Sequence, residues 1–144
     1  KRAQIDLFHE ELVRLGADGS RVIGGGDLNA IPPGSTETGD FPDSVCEDVE
    51  FQTDDYAEEA DWLDALYADF TSAITLEEYA ADNAVHYTHT VDGGGFWNRK
   101  LDYLFTNGTW LPGSGRTLQS DAQGGHETMP LSDHAPVVVE MELP

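Results

Sequence analysis

The sequence predicts a mixed α/β fold: a layered α/β sandwich in which a mostly antiparallel sheet is flanked by helices. Three observations support this class. An amphipathic helical pattern leads into a short apolar strand in the first 26 residues. Further helical patterns fill the middle of the chain, and strand-like segments around a glycine-rich turn fill its last third. This succession of elements is typical of a layered α/β domain.

The first predicted helix covers residues 2–15, and Gly16 ends it. Its apolar face consists of side chains that recur at helical spacing: Ile5, Phe8, Leu12 and Leu15. A short buried strand is predicted over residues 21–26, and it runs into a loop that opens at Asp27. The consecutive prolines that follow, within 32–34, exclude a regular element there.

The middle of the chain is predicted to be a long loop followed by helices. Residues 35–55 are polar and acidic without a clear period, which indicates a surface loop. Residues 54–70 carry an apolar stripe and predict a second helix. A short helix is predicted over 76–82, because Thr75 and Glu78 have the spacing of a capping box.

The last part of the chain is predicted to be a sheet. A glycine-rich hairpin turn, residues 92–95, joins the first two of its strands. The predicted strands cover residues 85–90, 100–106, 116–120 and 135–143. No internal repeat and no long linker divides the chain, so residues 1–144 are predicted to belong to one domain.

The charge of the chain is strongly negative. It has 28 acidic residues against 7 Lys and Arg, a formal net charge of -21 at pH 7. Such a field repels nucleic-acid phosphate, so duplex DNA is disfavoured as a partner. The acidity indicates a surface adapted to high salt, where screening reduces self-repulsion. No apolar run is long enough to predict a membrane span.

Three short motifs carry the candidate chemistry, and the first is Gly26-Asp27-Leu28-Asn29, directly after the predicted strand. Asp and Asn are common in turns for local reasons, and taken alone this motif favours an Asx-turn or a helix cap. The functional interpretation is a carboxylate and an amide that project from a strand end toward a substrate anion or a metal ion.

The second motif is Leu101-Asp102-Tyr103-Leu104-Phe105, an acid inside an apolar strand. Strand alternation puts Asp102 on the face of Leu104, opposite Tyr103 and Phe105. Burying a carboxylate costs free energy unless it is hydrogen-bonded or paired. Two interpretations stay open from these residues: an edge acid that faces solvent, and a buried carboxylate that orients a histidine.

The third motif is Ser132-Asp133-His134, just before the apolar run 137–139. It combines a metal-capable carboxylate with the side chain that titrates nearest neutral pH. An ordinary turn is the competing interpretation, and the nearby apolar strand weakens it.

In their order along the chain, these three motifs resemble the endonuclease/exonuclease/phosphatase superfamily, the deoxyribonuclease-I-like group of metal-dependent phosphoesterases. Tyr87-Thr88-His89-Thr90, ahead of Arg99-Lys100-Leu101-Asp102, is similar to another pair of strands in that family. His89 stands where the family usually has an aromatic residue. The resemblance covers residues 21 to the end.

The resemblance implies a role for each motif residue. Asp27 would orient or deprotonate the attacking water, or protonate the leaving oxygen, and Asn29 would donate a hydrogen bond to the phosphoryl group. Asp102 would hold His134 in its productive tautomer. His134 would contact phosphoryl oxygens or act as general base, and Asp133 would reach a divalent cation or the same water.

The implied cofactor is Mg²⁺ or Mn²⁺, held through carboxylate oxygens of Asp133 and Asp27. Arg99, which lies near Trp97 in the sequence, is a further candidate for contact with substrate. The expected substrate is a phosphomonoester or phosphodiester. The charge favours a small molecule or a lipid head group over duplex DNA.

The resemblance also implies that part of the domain lies outside this chain. The family places a metal-binding Glu and a phosphate-side Asn on strands before the Gly-Asp-x-Asn motif, and the residues ahead of Asp27 have neither. We therefore expect the chain to be the C-terminal half of a two-sheet, four-layer domain, without its N-terminal half and nearly inactive alone. The alternative is a noncatalytic binding or structural module that retains the fold.

Overall fold

The computed structural model describes residues 1–35, 59, 61–90, 97–120 and 128–142. In chain order, the helices are α1 (Arg2–Gly16), α2 (Asp64–Asp69) and α3 (Leu76–Ala81), followed by a 3₁₀ turn at Ala84–His86. The strands are β1 (Ile23–Asp27), β2 (Thr71–Ser72), β3 (Asp102–Thr106), β4 (Arg116–Thr117) and β5 (Val137–Val138).

The strands form antiparallel sheets. One sheet has the order β1-β3-β2, and the other pairs β4 with β5. Helices and antiparallel sheets together confirm the predicted mixed α/β class in its α+β form. The register of β1 on β3 places Asp27 opposite Asp102. This register brings the first two sequence motifs to one end of the sheet.

The principal core lies between α1, α2 and β3. It contains apolar side chains from these elements and from the segments beside them: Ile5, Leu12, Val22, Ala30, Leu63, Leu66, Phe70, Tyr103 and Phe105. The predicted alternation of β3 is confirmed, since Tyr103 and Phe105 are buried while Asp102 and Leu104 are half-exposed. Burial of the large rings on one face leaves the other face of β3 available for the polar site.

The predicted helices are confirmed in part. Helix α1 spans the predicted segment and includes Gly16. Helix α3 begins after Thr75, whose side chain accepts from the Glu78 backbone while the Glu78 side chain accepts from Thr75. The second helix is shorter than predicted, because residues 61–63 form a turn and α2 starts at Asp64. The first residues of that prediction lie outside the described part of the chain.

The strand predicted over residues 85–90 is wrong. Its first residues form a 3₁₀ turn, and His89 makes only isolated bridges. Side chains from β4 and the residues after it satisfy the carbonyl groups here: Gln119 Nε2 donates to Ala84 and Tyr87, and the Thr117 hydroxyl donates to His86. These bonds replace the ladder that a regular strand would need.

The last strand is also shorter than predicted and is limited to β5. Beyond it, the Glu140 carbonyl accepts from Leu111 N–H and the Glu140 N–H donates to the Ser114 hydroxyl. A turn therefore takes the place of a ladder partner. The predicted loop beyond residue 35 and the hairpin turn at 92–95 lie outside the described residues. Among the residues that are described, no helix is long and apolar enough to cross a bilayer.

Candidate functional site

Asp27 and Asn29 form a local unit at the end of β1. The Asn29 backbone N–H donates to Asp27 Oδ1 and its side-chain Nδ2 donates to Asp27 Oδ2, each at 2.8 Å. Asn29 adopts a φ of 51°, a left-handed conformation that Asn tolerates better than most residues. The Asx-turn that the local sequence favours is therefore present, and it holds the amide beside the carboxylate.

Thr88 connects the second and third motifs. Its hydroxyl accepts from the backbone N–H groups of Leu101 and Asp102, and its carbonyl accepts from Ala135 N–H at 2.7 Å. One residue further on, His89 bridges to both Arg99 and His134. The segment around Thr88 therefore lies between the start of β3 and the Ser-Asp-His loop and holds them together.

His134 lies between two carboxylates. Its Nδ1 is 2.8 Å from Asp102 Oδ2, and its Nε2 is 3.9 Å from Asp27 Oδ2. Because a carboxylate accepts hydrogen bonds, Asp102 selects the tautomer with a proton on Nδ1 and leaves Nε2 toward Asp27. Ser132 adds a local restraint, since its hydroxyl accepts from the His134 backbone N–H at 3.0 Å. The structure thus brings Asp102 and His134 together, the pairing that the family resemblance implies.

A cleft of about 300 Å³ opens beside His134. Its lining is mainly apolar, from Gly26, Tyr103, Leu104 and residues 135–137, and its polar side chains are Asp102 and His134. Asp27, Asn29 and Asp133 are not among these lining residues. A cleft of this size, with one carboxylate and one imidazole on a mainly apolar wall, can hold a small molecule.

The possible metal ligands form a different group from the predicted one. In the part of the chain that the structure describes, ring nitrogens of His89 and His134 and a carboxylate oxygen of Asp133 lie within 4.8 Å of one another. Asp27 is not a member of this group. Asp133 is exposed and offers the oxygen that a hard cation prefers, whereas imidazole nitrogens suit transition metals.

Arg99 reaches the site through His89. Arg99 is buried, with only 5% of the residue exposed. Its Nε donates to His89 Nδ1 at 3.0 Å. Burial and the adjacent guanidinium charge lower the pKa of His89 to about 4. The His89 ring packs edge-on against the His134 ring, with centroids 4.7 Å apart. The sequence suggested that Arg99 contacts substrate. In the structure the Arg99 side chain instead contacts His89.

Sequence reasoning did not identify Lys100 as part of this region. Lys100 is 1% exposed, its Nζ donates to the Asp102 carbonyl at 2.8 Å, and it lies 4.6 Å from the Tyr103 ring centroid. Burial lowers its pKa to about 7. The sequence shows a lysine at the start of the predicted apolar strand 100–106, which is the one signal of an unusual environment. Lysine side chains usually face solvent, so this position alone does not predict burial.

Comparisons of the chain with protein-family models, with curated proteins and with solved structures each gave no match. A functional assignment therefore depends on the chemistry of the residues around His134 and on their order in the sequence.

Proposed function

We propose that this chain is part of a divalent-metal-dependent phosphoesterase that hydrolyses phosphomonoester or phosphodiester bonds. The observation that carries the proposal is the position of His134, with Nδ1 on Asp102 at 2.8 Å and Nε2 facing Asp27 at 3.9 Å. An imidazole held in one tautomer, with a second carboxylate at its free nitrogen, is suited to proton transfer.

The proposed reaction is the attack of water on phosphorus. Water, oriented by Asp27, loses a proton to the free Nε2 of His134 as its oxygen bonds to phosphorus, and the bond to the leaving oxygen breaks. The leaving oxygen takes up a proton from solvent, and the His134 imidazolium then releases its proton to solvent. Asn29 donates a hydrogen bond to a phosphoryl oxygen, which stabilises the negative charge that develops there.

We propose that the carboxylate oxygens of Asp133 and Asp27 hold Mg²⁺ or Mn²⁺, which prefer oxygen donors. When bound, the cation neutralises charge on the phosphoryl oxygens and lowers the pKa of bound water. Asp133 is exposed, and the Asp27 oxygens already accept from Asn29 yet retain further lone pairs. Among the described residues, neither Asp133 nor Asp27 forms a salt bridge with Lys or Arg that metal binding would have to break.

We further propose the layered sandwich of the endonuclease/exonuclease/phosphatase superfamily, of which this chain forms the C-terminal half. The support is apolar exposure around β1 and α1: Ile23 is 54% exposed and Leu7 is 65% exposed. Within the described residues, β1 pairs with β3 alone, so one edge of the strand has no partner there. A second sheet would cover such a surface.

The proposed substrate is a small phosphoester or a lipid head group. A net charge of -21 opposes the phosphate contacts that nonspecific duplex binding requires. The cleft of about 300 Å³ is also of the size of a small-molecule site.

The test is a hydrolysis assay with Mg²⁺ or Mn²⁺ on phosphomonoester, phosphodiester, lipid head-group and duplex DNA substrates. The chain is assayed alone and within the longest reading frame that contains it. In the longer protein, His134→Ala and Asp27→Asn should each lower kcat by about 10²-fold or more. The matched control, His9→Ala, changes a histidine that pairs with Asp69 outside the site and should have no effect.

Two results would contradict these proposals. Absence of metal-dependent hydrolysis in the longer protein would reject the phosphoesterase and favour a noncatalytic binding or structural module. Rapid hydrolysis by the 144-residue chain alone would reject the proposal that it is half of a domain.

A further inference from the structure

His89 is the member of the site that the proposed reaction does not use. It bridges to the backbone of both Arg99 and His134, and its ring packs on the His134 ring at 4.7 Å. One of its ring nitrogens lies within 4.8 Å of ligand atoms of Asp133 and His134. A molecule bound between Asp133 and His134 would therefore lie within reach of the His89 ring.

The contact with Arg99 determines which nitrogen of His89 carries a proton. A guanidinium group is always protonated and can only donate hydrogen bonds. Because Arg99 Nε donates to His89 Nδ1 at 3.0 Å, Nδ1 has to be the acceptor. The ring is then neutral, and its proton is on Nε2.

This tautomer is unsuited to metal coordination. A metal ion binds the lone pair of a deprotonated ring nitrogen. On His89, Arg99 occupies the lone pair of Nδ1, and Nε2 bears hydrogen. A cation at Nδ1 would also lie against the Arg99 charge. Proximity to Asp133 and His134 is therefore insufficient for a three-ligand metal centre, and the remaining polar group of the His89 ring is its Nε2–H donor.

We propose that His89 donates its Nε2–H to an oxygen of the phosphoryl group bound beside His134, and that Arg99 is the positioning residue that keeps His89 in this tautomer. The inference rests on the proposed function, because it assumes a phosphoryl ligand in this site. A neutral donor adds a hydrogen bond without taking a proton from the attacking water.

The first experiment measures the tautomer directly. Nitrogen NMR of the histidine rings in this chain should show a proton on Nε2 of His89 and none on Nδ1. Equimolar Zn²⁺, added as the metal alone, should leave the His89 nitrogens unshifted. A proton on Nδ1, or a Zn²⁺-induced shift of a His89 nitrogen, would overturn the proposal.

The second experiment separates the donor role from a structural one by titrating the chain with inorganic phosphate in the presence of Mg²⁺. His89→Gln places an amide N–H near the position of Nε2. The shorter His89→Asn offers Arg99 a carbonyl oxygen near the position of Nδ1, but its N–H does not reach the position of Nε2. We expect phosphate affinity to survive in His89→Gln and to fall roughly 10- to 100-fold in His89→Asn. His9→Ala is the control outside the site.

The outcomes distinguish this inference from the phosphoesterase proposal. Unchanged affinity in His89→Asn, or no phosphate binding by the wild-type chain, would overturn the role of His89. If His89 responds to phosphate as expected but the longer protein hydrolyses no phosphoester, the proposed reaction fails and the anion site remains. If hydrolysis is present and His89→Asn leaves kcat and KM unchanged, the inference about His89 alone fails.

Discussion

His134 takes its orientation from residues that are distant in the sequence. Asp102 binds its Nδ1, and Asp27 faces its Nε2. The Thr88 carbonyl accepts from the N–H of Ala135, the residue that follows His134. Each of these contacts joins a different segment to the Ser-Asp-His loop. A local sequence motif can supply the imidazole, but these tertiary contacts decide where its nitrogens point.

Changing Asp102 to Asn should alter the tautomer of His134. The Asn side chain is nearly the same size, but its amide can donate to Nδ1 and so favour a proton on Nε2. We expect nitrogen NMR of this chain to show that switch, and kcat in the longer protein to fall by about 10²- to 10⁴-fold.

The matched control for Asp102→Asn is Asp69→Asn. Asp69 and His9 form a similar carboxylate–imidazole contact of 2.7 Å outside the site. Loss of the Asp69–His9 contact in Asp69→Asn should leave both the His134 tautomer and kcat unchanged. An unaltered His134 tautomer in Asp102→Asn would contradict the orienting role of Asp102.

Lys100 should make the stability of the chain depend on pH. Burial lowers the pKa of Lys100 to about 7, below the ordinary value of 10.5 that applies after unfolding. Between these values the unfolded chain binds more protons, so the free energy of unfolding rises with pH. The slope contributed by this group approaches about 1.4 kcal/mol per pH unit above about pH 8.

Urea denaturation at a series of pH values between about 7 and about 9 tests the effect of Lys100. Lys100→Met should have a flatter pH dependence than the wild type, because it removes the buried titrating group. Lys1→Met changes the other lysine of the chain, which is partly exposed, and should retain the wild-type slope. Equal slopes for Lys100→Met and the wild type would contradict this account.

At the scale of elements, the pairing of β1 with β3 positions the site. Gly25 lies opposite Leu104, and a Cβ atom at Gly25 would be 2.0 Å from the Tyr103 carbonyl oxygen. That oxygen belongs to the backbone of the central strand and cannot move aside. The close approach of the two strands therefore requires glycine at this position.

Gly25→Ala should weaken the sheet and disorder the site together. We expect the free energy of unfolding to fall by about 3 kcal/mol or more, with loss of the Asp102–His134 hydrogen bond in NMR. Gly34→Ala is the comparison, since Gly34 has a φ of +75° but open space around it. It should cost only about 1–2 kcal/mol. Equal effects would contradict the close-approach argument.

The capping box of α3 is a local device and should behave as one. Thr75→Ala removes the hydroxyl that accepts from the Glu78 N–H, so the free energy of unfolding should fall by about 1 kcal/mol. Thr109→Ala, at an exposed threonine outside any helix, should change it by less than about 0.5 kcal/mol. A larger loss for Thr109→Ala than for Thr75→Ala, measured by denaturant unfolding, would refute the capping role.

The accuracy of the predicted elements follows the range of the interactions that form them. Helix α1 and the capping box of α3 depend on contacts within one or two turns, and both were predicted correctly. The strand over 85–90 was predicted wrongly because Thr117 and Gln119, about thirty positions away, satisfy its carbonyl groups. Alternation cannot reveal such distant hydrogen bonds.

At the scale of the whole molecule, the charge should make stability depend on salt. The net charge is -21 at pH 7, so the acidic side chains repel one another. This repulsion is stronger in the compact folded state than in the expanded unfolded chain. Raising the salt concentration from about 0.05 M to about 1 M shortens the screening length from more than 10 Å to about 3 Å and should raise the Tm.

The salt effect is measured by thermal unfolding at pH 7 in NaCl and in KCl. Both salts should act alike, because screening does not depend on the identity of the cation. At a pH close to the isoelectric point, about 4.1, the dependence on salt should be much smaller. A Tm at pH 7 that falls or stays constant with added salt would contradict a charge-dominated surface.

The sequence by itself determined the mixed α/β class, the first helix, the capped helix and the residues at the ends of the strands that could carry chemistry. These features depend on local periodicity and residue type. Only the tertiary structure decided that Asp27 lies opposite Asp102, that His134 lies between them and that Arg99 acts on His89. The physical reason is that strand register and side-chain hydrogen bonds join residues up to about a hundred positions apart, where no local pattern constrains them.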